Sequence, residues 1–155
     1  MDALILFSHG SLLCGAGDAL AVHAARLRER GTFSPIEIGY LNYSDPPFAD
    51  AVDNCVAAGA RRIVVAPYFL ISGYFITKSL PEKLEEARAK HPEITFTVAE
   101  AFNYDETLAD ALWEAALTAH DPDEWREPLR RAAAACRPSP ECPLYGTPAC
   151  PKVSG

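Results

Sequence analysis

Ala3-Leu4-Ile5-Leu6-Phe7-Ser8-His9-Gly10-Ser11 is the stretch whose reading decides the fold. Its apolar run is short and continuous, and it stops at a polar turn. That is the pattern of a strand buried on both faces. Such a strand needs helices above and below it, so strand and helix patterns should alternate along the chain.

They do. A helix is expected over residues 18–30, with Ala16, Leu20, Ala24 and Leu27 along one side and Gly31 as its stop. Residues 36–41 form a second strand. Asp45-Pro46 reads as an N-cap followed by proline at the first helical position. The helix behind it should bury Phe48, Val52, Cys55 and Val56 and end at Gly59. A β-branched third strand spans residues 61–69. Ser79-Leu80-Pro81-Glu82 has the form of a capping box and opens a helix to about Lys90. Residues 94–99 make a fourth strand. Residues 105–119 make a fourth helix with Leu108, Leu112 and Ala115 inward. Asp121-Pro122 starts a further short helix, which Pro128 interrupts or restarts, and an irregular Pro-rich tail follows from Arg137.

Connections this long are crossovers rather than hairpins. The expected class is α/β: a three-layer, doubly wound parallel sheet of about four strands, flavodoxin-like, followed by a short C-terminal helix and a Cys/Pro-rich tail. The boundary falls between residues 1–120 and 121–155.

The bulk numbers agree. With 155 residues, 49% hydrophobic and 23% charged, the chain suits one globular core. Lys plus Arg is 14 and Asp plus Glu is 21, a net charge of −7, which argues against a nucleic-acid-binding surface. The first residues lack a positive n-region, and no apolar run is long enough to cross a bilayer. A cytoplasmic protein without a membrane partner is therefore expected. Five cysteines, an odd number, disfavour a closed disulfide framework.

In open parallel sheets, ligands bind beyond the C-terminal strand ends. Residues 8–17, 41–47, 70–79 and 100–105 should gather there, making His9, Asn42, Tyr74 and Phe75 neighbours of one cleft. An imidazole at His9 could coordinate a divalent metal or take a proton near neutral pH; it could also be a turn residue without chemistry. Gly10 permits a tight turn and close approach of a flat ligand. The segment Pro67-Tyr68-Phe69-Leu70-Ile71-Ser72-Gly73-Tyr74-Phe75 is unusually apolar for a connection. It suits a flat hydrophobic ligand, a dimer seam, or side chains folded back onto the core. Tyr40, Tyr43 and Tyr74 are phenolic helpers at most, since a phenol is a poor base near neutral pH. His23 fits a helix residue with its ring at the core margin. His91 and His120 follow helix ends, where a cationic ring suits the dipole. Cys55 is a packing residue.

Phe7-Ser8-His9-Gly10-Ser11, then Tyr40-Leu41-Asn42-Tyr43-Ser44-Asp45-Pro46, then Pro67-Tyr68-Phe69-Leu70 with Gly73 and Pro81, form an ordered set. Across residues 3–112 this set resembles the small sirohydrochlorin chelatases of the CbiX and SirB type. The resemblance implies a chelatase-like domain over residues 1–120. It implies a lyase of cobalamin or siroheme biosynthesis that inserts cobalt, iron or nickel, as a divalent substrate, into sirohydrochlorin or a related tetrapyrrole. It implies His9 as the catalytic and metal-handling residue, with Gly10, Ser11, Asn42, Gly73, Tyr74 and Phe75 against the macrocycle, and a homodimer. Three positions depart from the family pattern. The second family histidine is Phe75, the glutamate after the second strand is Asn42, and an acidic residue late in the third loop is Ser79. The alternative is a chelatase homologue that binds a tetrapyrrole or metal without catalysis.

Cys136, Cys142 and Cys150 crowd the tail. Thiolates in a Pro-rich loop could hold an iron–sulfur cluster or zinc, with Cys14 as a fourth ligand, or remain reduced thiols.

Overall fold

The structure, a computed structural model, describes residues 1–11, 18–119 and 121. The chain divides into two compact units, one of Met1–Gly10 with Ala19–Asn103 and one of Ser11–Asp18 with Tyr104–Gly155. The tail cysteines, Cys14, His120 and the helix expected after Pro122 lie outside the described residues.

The first unit holds a four-stranded sheet of β1 (Asp2–Ser8), β2 (Ile36–Tyr40), β3 (Arg62–Pro67) and β4 (Thr95–Val98). The order is β2-β1-β3-β4 and every pairing is parallel. The expected parallel α/β architecture is what the chain adopts. β1 is central, with Leu6 opposite Ile38 on one side and Ala66 on the other.

Both faces of β1 are covered, and its residues alternate between two cores. Ala3, Ile5 and Phe7 join Ile63 and Val65 of β3. Against them pack Phe48, Ala51, Val52 and Cys55 of α2 (Phe48–Ala57) and Leu80, Leu84 and Ala87 of α3 (Leu80–Lys90). Leu4 and Leu6 turn to the other side, where they meet Leu20 and Ala24 of α1 (Asp18–Glu29). The i, i+4 spacing of Leu20 and Ala24 puts them on one helix face. Phe7 is fully buried, edge-on to Phe48 with ring centroids 5.4 Å apart. Truncating a ring so placed costs ~3–5 kcal/mol. Gly39 lets α2 lie close on β2: a Cβ there would sit 3.1 Å from the Phe48 Cα and 3.2 Å from the Ala51 Cβ. Cys55 is a buried packing residue, and desolvation pushes its thiol up to about 12.

Two helix starts differ from the sequence pattern. Asp45 does not cap α2. The Pro46 carbonyl accepts the Tyr40 amide at 3.0 Å and Pro47 bridges to Tyr40, so these residues prolong β2 pairing and the helix begins at Phe48. Ser79 does not close a capping box either. It ends a π-helical turn, Phe75–Ser79, and already has helical angles (φ −65°, ψ −42°), whereas an N-cap needs extended ones.

α2 and α3 are tied at the surface. Asp53 accepts from Lys90 Nζ at 2.6 Å and from His91 Nε2 at 2.7 Å. These hydrogen bonds, Lys90 first, hold the Asp53 carboxyl below its ordinary 3.8. His91 follows a helix end as expected, and its partners are side chains as well as the helix terminus.

In the second unit, α4 (Glu106–Leu117) is capped by Asp105, whose carboxylate accepts the Thr107 amide at 2.8 Å and the Leu108 amide at 3.3 Å. The inward face expected for α4 is only partly borne out. Leu108 is half-buried, but Ala115 is exposed and Leu112 is 65% exposed.

Candidate functional site

The strand order fixes where a ligand can enter. From β1 the chain passes to β2 on one side, then returns to β3 on the other. The loops after β1 and β3 therefore diverge, and a crevice opens at their C-terminal ends. His9 follows β1 directly, and the loop from Tyr68 follows β3.

His9 is half-buried, at the end of β1 where the crevice opens. Phe75 lies against it, with ring centroids 4.3 Å apart and planes inclined at 43°. Tyr43 approaches edge-on, centroid to centroid 5.6 Å. The imidazole Nδ1 is 3.1 Å from the Gly10 carbonyl oxygen. A carbonyl only accepts, so Nδ1 must carry the proton and donate it. In the neutral ring Nε2 is then the lone-pair nitrogen, able to ligate a metal or accept a proton.

Backbone bonds fasten this ring in place. The Leu41 amide donates to the Ser8 carbonyl and the Asn42 amide to the His9 carbonyl, both at 2.9 Å. Gly10 has φ +86°, and a Cβ there would lie 1.8 Å from the Asn42 carbonyl oxygen. Glycine is thus required twice, for its dihedral and for the contact between loops. Asn42, exposed, reaches His9 through its backbone N–H rather than its side-chain carboxamide.

The loop after β3 is anchored at both ends. Phe69 and Ile76 pack on the core, while Leu70, Ile71 and Tyr74 stand 62%, 70% and 62% exposed. The Ser72 amide donates to Asn103 Oδ1 at 3.1 Å, latching the loop to the segment after β4. The Gly73 carbonyl accepts the amides of Ile76 and Thr77, both at 3.0 Å, and so starts the π-helical turn that carries Phe75. Tyr74 meets Phe75 edge-on at 6.0 Å, and Lys78 Nζ stands 5.7 Å from the Tyr74 ring centre.

Of the residues singled out in sequence, the structure thus groups His9, Gly10, Asn42, Gly73, Tyr74 and Phe75. Ser11, half-buried, belongs to the second unit. Tyr40 is buried at the end of β2 and forms part of the core. His23 is exposed rather than at the core margin, with its ring 5.6 Å from Tyr68. Tyr43 was underrated in sequence. Its backbone is left-handed (φ 62°), a conformation for which a tyrosine gives no compositional signal. Among the described residues no group of three or more His, Cys, Asp and Glu side chains gathers to hold a metal.

The CbiX family profile matches residues 3–119, three quarters of the chain. The chain belongs to the CbiX family. It is 38% identical over 84 residues to the sirohydrochlorin cobaltochelatase of Methanocaldococcus jannaschii, covering 54% of this chain and 59% of that protein. It is 29% identical over 118 residues to the sirohydrochlorin cobaltochelatase of Saccharolobus solfataricus, covering 72% of this chain and 91% of that protein. The chain spans less than two thirds of the length of several curated relatives, 59% for the Methanocaldococcus jannaschii protein and 43% for the sirohydrochlorin ferrochelatase of Priestia megaterium. Among solved structures, the sirohydrochlorin chelatase SirB of Bacillus subtilis subspecies spizizenii, in complex with cobalt, superposes with a TM-score of 0.72 at 21% identity. That match covers 86% of this chain and 59% of SirB, and it shows the shared fold.

Proposed function

We propose that this CbiX-family chain inserts a divalent metal, cobalt, iron or nickel, into sirohydrochlorin or a related tetrapyrrole. The observation that supports this best is His9: an imidazole whose Nδ1 lies 3.1 Å from the Gly10 carbonyl oxygen, at the mouth of the β1/β3 crevice, flanked by aromatic rings. The cobaltochelatase and ferrochelatase names of its relatives support the same reaction.

Insertion requires a metal held by few, exchangeable ligands, a positioned macrocycle, and a base for two pyrrole protons. One imidazole leaves most of the metal's positions to water, which the ring nitrogens can displace in turn. Gly10 and the Gly73–Phe75 segment give the macrocycle close, flat and apolar contact. Asn42 and Tyr74 border it with polar groups. His9 serves as single ligand or as base at any one moment, and solvent or a second copy completes the set. We accordingly take the working unit to be a homodimer in the cytoplasm, with residues 1–120 as the chelatase-like domain and residues 121–155 as its extension.

The test mixes metal-free protein with sirohydrochlorin and Co²⁺ and follows the visible spectrum. The expected result is a rate well above the uncatalysed one, lost in His9→Ala. Equal rates with and without protein sink the enzyme reading, and tight binding without turnover would leave a carrier. Cys136, Cys142 and Cys150 we propose as ligands of an iron–sulfur cluster. Iron and acid-labile sulfide in anaerobically purified protein test that, and a metal-free, folded sample ends it.

A further inference from the structure

Two non-glycine residues have left-handed backbones, Tyr43 (φ 62°) and Asn103 (φ 45°). They differ in what offsets the strain. Asparagine tolerates this region. Asn103 also makes three hydrogen bonds, accepting from the Ser72 amide and donating to Ser72 Oγ and to the Ala101 carbonyl. Tyr43 is bulky, an outlier in this region. Its side chain is 63% exposed, so it takes no core burial in return. Among the described residues its phenol has no hydrogen bond. Its one aromatic neighbour there is His9, met edge-on at 5.6 Å.

The backbone around Tyr43 leaves little choice of direction. The Asn42 amide is bound to the His9 carbonyl at 2.9 Å and the Ser44 amide to the Asn42 carbonyl at 2.8 Å. The Asn42 carbonyl also abuts Gly10. Bonds on both sides of Tyr43 thus enforce the left-handed turn that carries its ring to His9. Strain kept at an exposed aromatic beside a candidate reactive group is strain kept for a ligand.

We propose that Tyr43 is a substrate-positioning residue: its ring, with Phe75, forms the aromatic surround of His9 against which the flat face of a tetrapyrrole docks. This rests on reading the crevice as a tetrapyrrole site. The claim is that Tyr43 lowers stability and raises affinity, a combination that a structural residue would not show.

The test uses the full chain and metal-free sirohydrochlorin, with binding followed by quenching of the macrocycle's fluorescence, and thermal melting alongside. Tyr43→Gly and Tyr43→Asn both accept a left-handed backbone. Each should melt at the wild-type temperature or up to about 4 °C above it, and each should bind sirohydrochlorin about tenfold or more weakly. Tyr43→Phe, which keeps the ring, should bind within about twofold of wild type. A lowered melting temperature in both Tyr43→Gly and Tyr43→Asn overturns the proposal, since the ring would then be supporting the fold. So does near-wild-type affinity in either variant, or equal loss in Tyr43→Phe, which would make the hydroxyl the contact. Wild-type protein that fails to bind any sirohydrochlorin overturns the tetrapyrrole reading itself, an outcome distinct from wild-type binding that Tyr43→Gly leaves unchanged.

Discussion

Gly10→Ala should damage the fold and the site together, and its effect can be worked from the contacts. The new methyl would lie 1.8 Å from the Asn42 carbonyl oxygen, 3.0 Å from the Asn42 carbonyl carbon and 3.2 Å from the Ser44 nitrogen. All three are backbone atoms, so no side chain can swing aside. An alanine at φ +86° costs ~1–2 kcal/mol by itself. Relieving the overlap requires the loop after β2 to move by more than an ångström, which breaks the Asn42–His9 hydrogen bond and strains the Leu41–Ser8 one. Each is worth ~0.5–1.5 kcal/mol. The sum is ~2–4 kcal/mol, or a fall in melting temperature of about 5–15 °C. Gly31→Ala is the control. Gly31 is also left-handed (φ +69°), yet a Cβ there meets nothing within 4 Å, so that variant carries the dihedral cost alone. Differential scanning fluorimetry and the cobalt-insertion rate read both effects. Gly10→Ala should melt well below Gly31→Ala and lose at least about tenfold in rate, because Asn42 and Tyr43 are displaced from His9. Equal melting of the two variants, with insertion intact in both, would refute the reasoning.

Two further outcomes follow from the same geometry. Phe75→His would place a second imidazole about where the Phe75 ring now stands, 4.3 Å from the His9 ring centre. Calorimetric titration with Co²⁺ should show affinity raised about tenfold or more, and an unchanged affinity would mean that the two rings do not converge on a common point. Asp53→Asn should flatten the acid limb of the stability curve. The Asp53 carboxyl is depressed in the folded state, so its contribution is complete above its ordinary 3.8 and is lost as pH falls through the lower folded value. Urea midpoints from pH 6 to pH 2.5 check this, and an acid limb as steep in the variant as in wild type contradicts it.

Much of this was legible in sequence because burial on both faces leaves a plain mark. The run from Ala3 to Phe7 is apolar at every position, since odd and even residues face different cores. The strand-to-loop boundary at Ser8 then put His9 at the ligand edge, and parallel connections brought the Gly73–Phe75 loop to it. Local capping rules were less informative. Ser79 has the composition of an N-cap, but the π-helical turn before it already sets helical angles. Asp45 precedes two prolines that extend β2 pairing instead of opening α2. The amphipathic pattern of α4 suggested a buried Leu112, yet periodicity reports which residues share a face, not whether that face is covered. Tyr43 was hidden for a different reason. Its left-handed backbone is set by the Ser44–Asn42 hydrogen bond across it and by the tie from Asn42 to His9, distant in sequence, and nothing in a tyrosine between Asn42 and Ser44 signals it.

In the proposed reaction His9 handles the metal through Nε2 at the β1/β3 crevice. Crystals of the full chain soaked with Co²⁺, with data collected at the cobalt absorption edge, test it most directly. An anomalous peak is expected about 2.0–2.2 Å from His9 Nε2, on the side open to the Gly73–Phe75 loop. Cobalt bound elsewhere on the chain, with the His9 imidazole free of it, would rule out His9 as the metal-handling residue.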